Sequence, residues 1–347
     1  MRALLTVIVL VCSMTTIVHA QFALPALQTP LQFVLDPVYP KPGDEVKVTL
    51  RSYGLDVAAS DVGWYVAGEL VAAGAGLTTI TTNAEDLGVE KVVSVIVRPD
   101  ATTEVFDEVV IRPVALDLLW EADTYTPALY RGRALPSPDA HIRAEARAYF
   151  VRADGSRVTD RDIVYTWRIN NKVIASVSGR GKGQAILPAP RLFANDTLSV
   201  DAVSVDGVFR AESKTFVPGT EPHLVLYQED PLNGLMLSQS LGTAAAIPDS
   251  EVTVAVLPYF SLAKHPGEPQ LEYQWKVNGK ILAADPTDPF RLLVRLTEGS
   301  QARASVELFV DHTQSLFQAV SEKWTLTLNG VGRGTGSGNP FFAQPVE

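Results

Sequence analysis

Asp36, Glu121, Asp123, Glu229 and Asp230 share one placement. Each closes an apolar run, in LQFVLDP (31–37), LDLLWEAD (116–123) and HLVLYQEDP (223–231). Calcium takes about 6–8 oxygen ligands at roughly 2.3–2.6 Å, with carboxylates prominent among them. Acids at the joints of a tandem array are therefore calcium candidates, since an ion there would stiffen the array. No Asp-x-Asp-x-Asp run or cadherin-type motif accompanies them. Solvated acids at strand ends account for them more simply.

Gly179-Arg-Gly-Lys-Gly183 invites comparison with a phosphate loop, which needs a hydroxyl residue directly after the lysine and a helix start to aim its amides. Gly183 and Gln184 follow Lys182 instead, and the next run, Ala185 to Leu187, has strand character. A polar loop between strands fits better. His141, His223, His265 and His312 stand apart, without a second histidine or carboxylate at zinc-ligand spacing. No Gly-x-Ser-x-Gly elbow occurs in the domains, and Gly334-Thr-Gly-Ser-Gly338 lacks the strand–helix setting such an elbow requires. No nucleophile, metal set or acid–base pair assembles, so no catalytic residue or cofactor is expected, calcium apart.

The elements that must position these residues form a repeat. Trp64, Trp167 and Trp275 each sit in an apolar strand, 103 and 108 residues apart, and Ala67-Gly68, Asn170-Asn171 and Asn278-Gly279 follow as two-residue turn signals. Such turns need positive φ, which Asn and Gly tolerate. Upstream of each Trp a proline leads into strict apolar–polar alternation, at Pro42–Leu50, Pro138–Ala146 and Pro248–Val256. Aromatic pairs, Tyr149-Phe150 and Tyr259-Phe260, close the later two, and two further strands follow each Trp. About 100 residues per copy with short, turn-punctuated strands predicts an immunoglobulin-sized sandwich with the Trp between its sheets.

The predicted fold is all-β: three tandem immunoglobulin-like β-sandwich domains without disulfides, since Cys12 is the only cysteine. The expected division is a signal peptide (1–20), domains at 21–114, 115–218 and 219–328, and a Gly-rich tail (329–347). Segments Thr124–Ser137 and Leu232–Ile247 are insertions, either extended first strands or loops that clasp a neighbour. Short linkers near Ala115–Asp117 and Pro218–Pro222 suggest a semi-rigid rod. Gly330–Gly338 cannot build a core and is expected to be flexible, leaving Asn339-Pro-Phe-Phe342 as a docking peptide or an unstructured end. Trp120 and Trp324 are expected in the core or between domains, with glycan stacking as the alternative.

The repeated Trp strand, the W-x-[IV]-N-[NG]-K-[VI]-[IL] hairpin and the proline-led strand resemble bacterial immunoglobulin-like and polycystic-kidney-disease-like surface modules. Leu129–Pro136 and Ser178–Gly183 are similar to segments of uncharacterised surface or pilus-associated proteins of candidate-phylum bacteria. Antibody-type domains carry a core cysteine pair and a tyrosine before the second cysteine, both missing here. The resemblance implies extracytoplasmic display and supplies no catalytic residues.

Arg2, the apolar run Leu4–Val18 and the small residues of Val18-His19-Ala20 read as an export signal cleaved before Gln21. Membrane association is expected only through export or an uncleaved N-terminal segment. Removing residues 1–20 takes away Arg2 alone among the charged residues, leaving 28 Lys and Arg against 39 Asp and Glu. That balance argues against nucleic acid, whose phosphates need clustered cations. The function expected is a non-catalytic extracellular or cell-surface protein, structural or adhesive and pilus-associated. Its partners would be other surface or pilus proteins, or a wall glycan. A carbohydrate or cell-wall polymer binding module and an accessory subunit of a secretion machine are the alternatives.

Overall fold

The structure, a computed structural model, describes residues 31–296, 301–329 and 341–344. The export signal, Cys12 and residues 330–340 lie outside the described residues. Among those described, strands dominate and the only helices are two short 3-10 turns. No helix among them is long and apolar enough to cross a membrane. Contacts divide the chain into two compact units. Among the described residues, one comprises 31–35, Lys47–Thr82 and Val92–Val110, and the other Asp36–Val46, Asn83–Lys91 and those from 111 onward.

The first seven strands are β1 (Leu31–Asp36), β2 (Glu45–Ser52), β3 (Asp61–Val66), β4 (Glu69–Ala75), β5 (Thr79–Asn83), β6 (Lys91–Arg98) and β7 (Val105–Ile111). They form a three-stranded sheet, β1-β2-β5, and a four-stranded one, β4-β3-β6-β7. Alternation decides which side chains face inward: Val48 and Leu50 of β2 and Val93, Val95 and Val97 of β6 are buried, while residues between them are less so. Phe33 meets Trp64 edge-on, with ring centroids 6.2 Å apart.

The second sandwich comprises β8 (Ala115–Ala122), β9 (His141–Tyr149), β10 (Ile163–Ile169), β11 (Lys172–Val173), β12 (Gly179–Arg180), β13 (Gln184–Pro188), β14 (Asn195–Ser204) and β15 (Arg210–Pro218). Sheet β13-β9-β8 faces sheet β11-β10-β14-β15, to which β12 adds through β10. Ile142, Leu187 and Trp120 from one sheet share a core with Trp167, Val200 and Val217 from the other.

The third sandwich comprises β16 (His223–Asp230), β17 (Gly234–Leu241), β18 (Ala244–Ile247), β19 (Glu251–Tyr259), β20 (Leu271–Val277), β21 (Lys280–Leu282), β22 (Arg291–Leu296), β23 (Gln301–His312), β24 (Val320–Asn329) and β25 (Phe341–Gln344). Its sheets run β17-β16-β19-β22-β25 and β18-β24-β23-β20-β21. Leu226, Val254 and Val294 pack against Trp275, Val306 and Leu326 across the core.

One device recurs in all three sandwiches. Trp64, Trp167 and Trp275 are fully buried, which would strand each indole N–H without a partner. Each donates instead to a backbone carbonyl 13–15 residues downstream: Leu77 (2.8 Å), Lys182 (2.9 Å) and Pro289 (2.9 Å). The turn after each Trp strand has positive φ at both central residues, as the Ala-Gly, Asn-Asn and Asn-Gly pairs predict. The first asparagine of the later two turns reaches across, accepting from the Thr197 and Ser305 amides at 2.9 Å. The chain is thus a set of tandem immunoglobulin-like sandwiches, without disulfides.

The two insertions take different forms. Leu232–Ile247 supplies strands. β17 pairs antiparallel with β16, and the chain then changes sheet so that β18 pairs parallel with β24. Thr124–Ser137 forms no strand and reaches the third sandwich. Residues 341–344, where the sequence suggests a docking peptide or an unstructured end, pair with β22.

Candidate functional site

The second and third sandwiches belong to one compact unit, and their junction gathers buried polar and aromatic side chains. The insertion brings Tyr125 against the end of β19. Its amide donates to the Ser261 carbonyl (2.9 Å) and its carbonyl accepts from the Phe260 amide (2.8 Å). Phe260 has φ of 60°, a left-handed conformation costly for a bulky residue, and this bridge helps hold it. Farther along the insertion the Pro136 carbonyl accepts from the Thr220 amide (2.9 Å).

Gln318 is the polar centre. It is 1 % exposed and Ser137 is fully buried, so every polar atom here needs a partner. Gln318 Nε2 donates to Ser137 Oγ (2.8 Å) and to the Pro138 carbonyl (2.5 Å), and its Oε1 accepts from the Leu262 amide (3.0 Å). Ser315 Oγ donates to the Asp139 carboxylate beside it.

An aromatic cluster lies alongside. Tyr227 and Tyr259 hydroxyls share a hydrogen bond of 2.5 Å. Tyr130 meets Tyr259 and Phe260 edge-on at 5.6 and 5.9 Å, and His223 stacks on Tyr259 at 5.3 Å. Burial pushes the Tyr125 hydroxyl up to about 12, with the nearby Tyr227 adding to it. Burial also raises Tyr259, and its bond to Tyr227 reinforces the shift. These hydroxyls stay protonated near neutrality and act as fixed hydrogen-bonding groups.

His223 keeps an exposed edge, but partial desolvation against Tyr259 and Phe260 pulls it below its usual value, opposed by the Glu322 carboxylate. Between the folded value and the unfolded one near 6.5, the unfolded chain binds more protons. Stability therefore rises with pH through that window and falls as pH drops through it. The urea midpoint of the second unit is expected to fall as pH is lowered from 7 to about 5.5. His223→Phe, which keeps the ring stack, should flatten that slope. A variant slope equal to the parent's would assign the titration elsewhere.

Beside the junction lies a cleft of about 480 Å³ whose lining includes Pro138, His141, Pro190, Arg191, Leu192 and Phe317. Phe317 is 62 % exposed. Proline faces and an exposed phenyl ring beside imidazole and guanidinium donors can hold a flat ligand with polar edges.

The acids at the strand ends are spread out rather than gathered. Asp36 is exposed at the end of β1, and Glu121 is exposed on β8 opposite Arg143. Asp123 Oδ1 accepts from the His141 amide at 2.6 Å. Glu229 pairs with Arg291 at 2.9 Å. Asp230 Oδ1 accepts from the Asn233 and Leu232 amides (2.8 and 2.9 Å), which hold its carboxyl below the usual range and fix the turn into β17. No group of three or more His, Cys, Asp or Glu that could hold a metal occurs among the described residues.

Where the sequence suggests a polar loop between strands, Gly179 and Arg180 instead form the short strand β12 against β10, and only 181–183 are loop. The Lys182 carbonyl accepts the Trp167 indole, Lys182 Nζ donates to the Ser176 carbonyl (2.9 Å), and Arg180 pairs with Asp162 (2.7 Å). The cations of 179–183 are thus engaged within the protein. Trp120 and Trp324 are buried. Arg133 lies 4.3 Å over the Trp120 ring, whose indole N–H has no partner among the described residues. Gln318 and Ser137 carry no motif. Their one sequence signal is the length and aromatic content of the insertion beside them.

No protein-family model matches the chain, and no curated protein matches it in sequence. Solved structures do match. The central fibronectin-III array of RIM-binding protein has 12% identity, covering 91% of this chain and 96% of that one, with a TM-score of 0.28. The fibronectin(III)-like modules of Clostridium thermocellum CbhA have 13% identity, covering 54% and 95%, with a TM-score of 0.27. The three N-terminal domains of the bacteriophage RB49 highly immunogenic outer capsid protein have 13% identity, covering 87% and 98%, with a TM-score of 0.25. Likeness at this level carries no argument about role.

Proposed function

We propose that this chain is a non-catalytic extracytoplasmic protein, structural or adhesive, that presents its sandwiches at the cell surface in company with pilus or other surface proteins. Its domains on this account span 21–114, 115–218 and 219–328. The junction carries the proposal: Gln318, Ser137 and the Tyr125 bridge couple two sandwiches into a body that can transmit force or hold a spacing. The Arg2, Leu4–Val18 and Val18-His19-Ala20 pattern supports export. Cleavage and display are tested together on intact source cells. The expected result is a protein that begins at Gln21, is removed by protease added outside, and co-purifies with surface fibres. A protease-protected chain that retains Met1 would refute it.

The cleft favours a second reading, a wall-glycan binding module, because Phe317 offers a sugar ring an apolar face with His141 and Arg191 as polar neighbours. Solubilised wall polymer should then bind the full chain and lose affinity for Phe317→Ala.

A further inference from the structure

β25 pairs antiparallel with β22, Phe341 opposite Leu296, Phe342 opposite Arg295, Ala343 opposite Val294 and Gln344 opposite Leu293. It is the outermost strand of β17-β16-β19-β22-β25. The strands that match β22 in the other two sandwiches, β5 and β13, are themselves outermost in their sheets. One of three equivalent edges is therefore covered, and an uncovered edge is a template for an added strand.

The covering strand does not come from a hairpin. β24, which precedes it, ends at Asn329 in the opposite sheet. No tight turn ties β25 to β22, so turn geometry does not fix its register. Asn329 lies opposite Gln301, five positions beyond Leu296. From chain dimensions, Asn329 and Phe341 are then at most about 30 Å apart, and the eleven intervening residues can span about 40 Å. Closure within one chain is thus possible, and nothing in the connection requires it.

The hydrogen bonds are the same whether β25 comes from its own chain or another, so exchange changes only the tether. A short tether corresponds to an effective concentration on the order of millimolar, and copies crowded to that level compete for the same edge. We infer that β22 is a strand-acceptor edge whose partner is the Phe341–Gln344 segment of a second copy of this chain, and that exchange of this strand links copies. The exchange does not depend on where the chain resides.

The absence of cysteine beyond Cys12 gives a clean test. In a Cys12→Ser background, Arg295→Cys and Phe342→Cys are made singly, mixed near millimolar and oxidised gently. Directly opposed positions meet disulfide geometry. The expected result is a disulfide dimer holding one copy of each variant, several-fold more abundant than any dimer of either alone. Leu293→Cys with Gln344→Cys, the register pair two positions along, should behave alike. A doubly substituted chain that closes on itself while the mixtures give no dimer would confine the strand to its own chain and overturn the proposal. Failure of both pairs to cross-link in any form would also overturn it.

Discussion

Replacing Gln318 with leucine is expected to lower the stability of the unit holding the second and third sandwiches by about 2–4 kcal/mol. Leucine nearly fills the same volume, so the loss comes from hydrogen bonding rather than from a cavity. Ser137 Oγ, the Pro138 carbonyl and the Leu262 amide each lose a partner. A buried polar group left alone costs roughly 1–3 kcal/mol, and relaxation of neighbours or entry of water offsets part of that. The substitution should also loosen the coupling between the sandwiches, because the three groups come from both sides of the junction. Urea unfolding followed at separate sites in each sandwich reads both effects. A midpoint change equivalent to less than about 0.5 kcal/mol would mean that the glutamine does not hold the junction.

Trp167→Ala is expected to cost more, about 3–5 kcal/mol, the range for removing a large aromatic side chain from a packed core. The indole is fully buried between the sheets, and its N–H satisfies the Lys182 carbonyl. Trp167→Phe separates the two contributions. It keeps most of the apolar contact and leaves that carbonyl unpaired, so a loss of about 1–3 kcal/mol is expected. Trp64 and Trp275 have the same burial and the same kind of acceptor, and their substitutions should follow the same order within their own sandwiches. Urea midpoints of the alanine and phenylalanine variants check this. If phenylalanine were as costly as alanine, the anchor would lie in the indole N–H bond rather than in apolar contact.

The sandwich plan is legible in the sequence because its signals are local. The Trp strands, the proline-led alternation and the turn pairs are each settled within about ten residues, and the positive φ at Asn170, Asn171, Asn278 and Gly279 follows from residue type. The junction is not legible in that way. Gln318 and Ser137 are 181 positions apart, and neither belongs to a periodic pattern that marks it as buried. Thr124–Ser137 and Leu232–Ile247 look alike as insertions, yet one clasps and the other becomes β17 and β18. That choice depends on which neighbouring edge is available. The acids at the strand ends are visible in sequence, but their partners are not: Asp230 is occupied by its own turn and Glu229 by Arg291. β25 is missed for a related reason. A strand of four residues, preceded by a glycine run, joins the sheet through backbone groups that every sequence carries.

The coupling of the second and third sandwiches through Gln318, Ser137 and Tyr125 is the central claim, and hydrogen exchange on the full chain in graded urea tests it most directly. Core amides of the Trp167 and Trp275 strands should exchange through one shared opening, with the same free energy and the same urea dependence. Loss of protection in one strand at a urea concentration that leaves the other fully protected would contradict it.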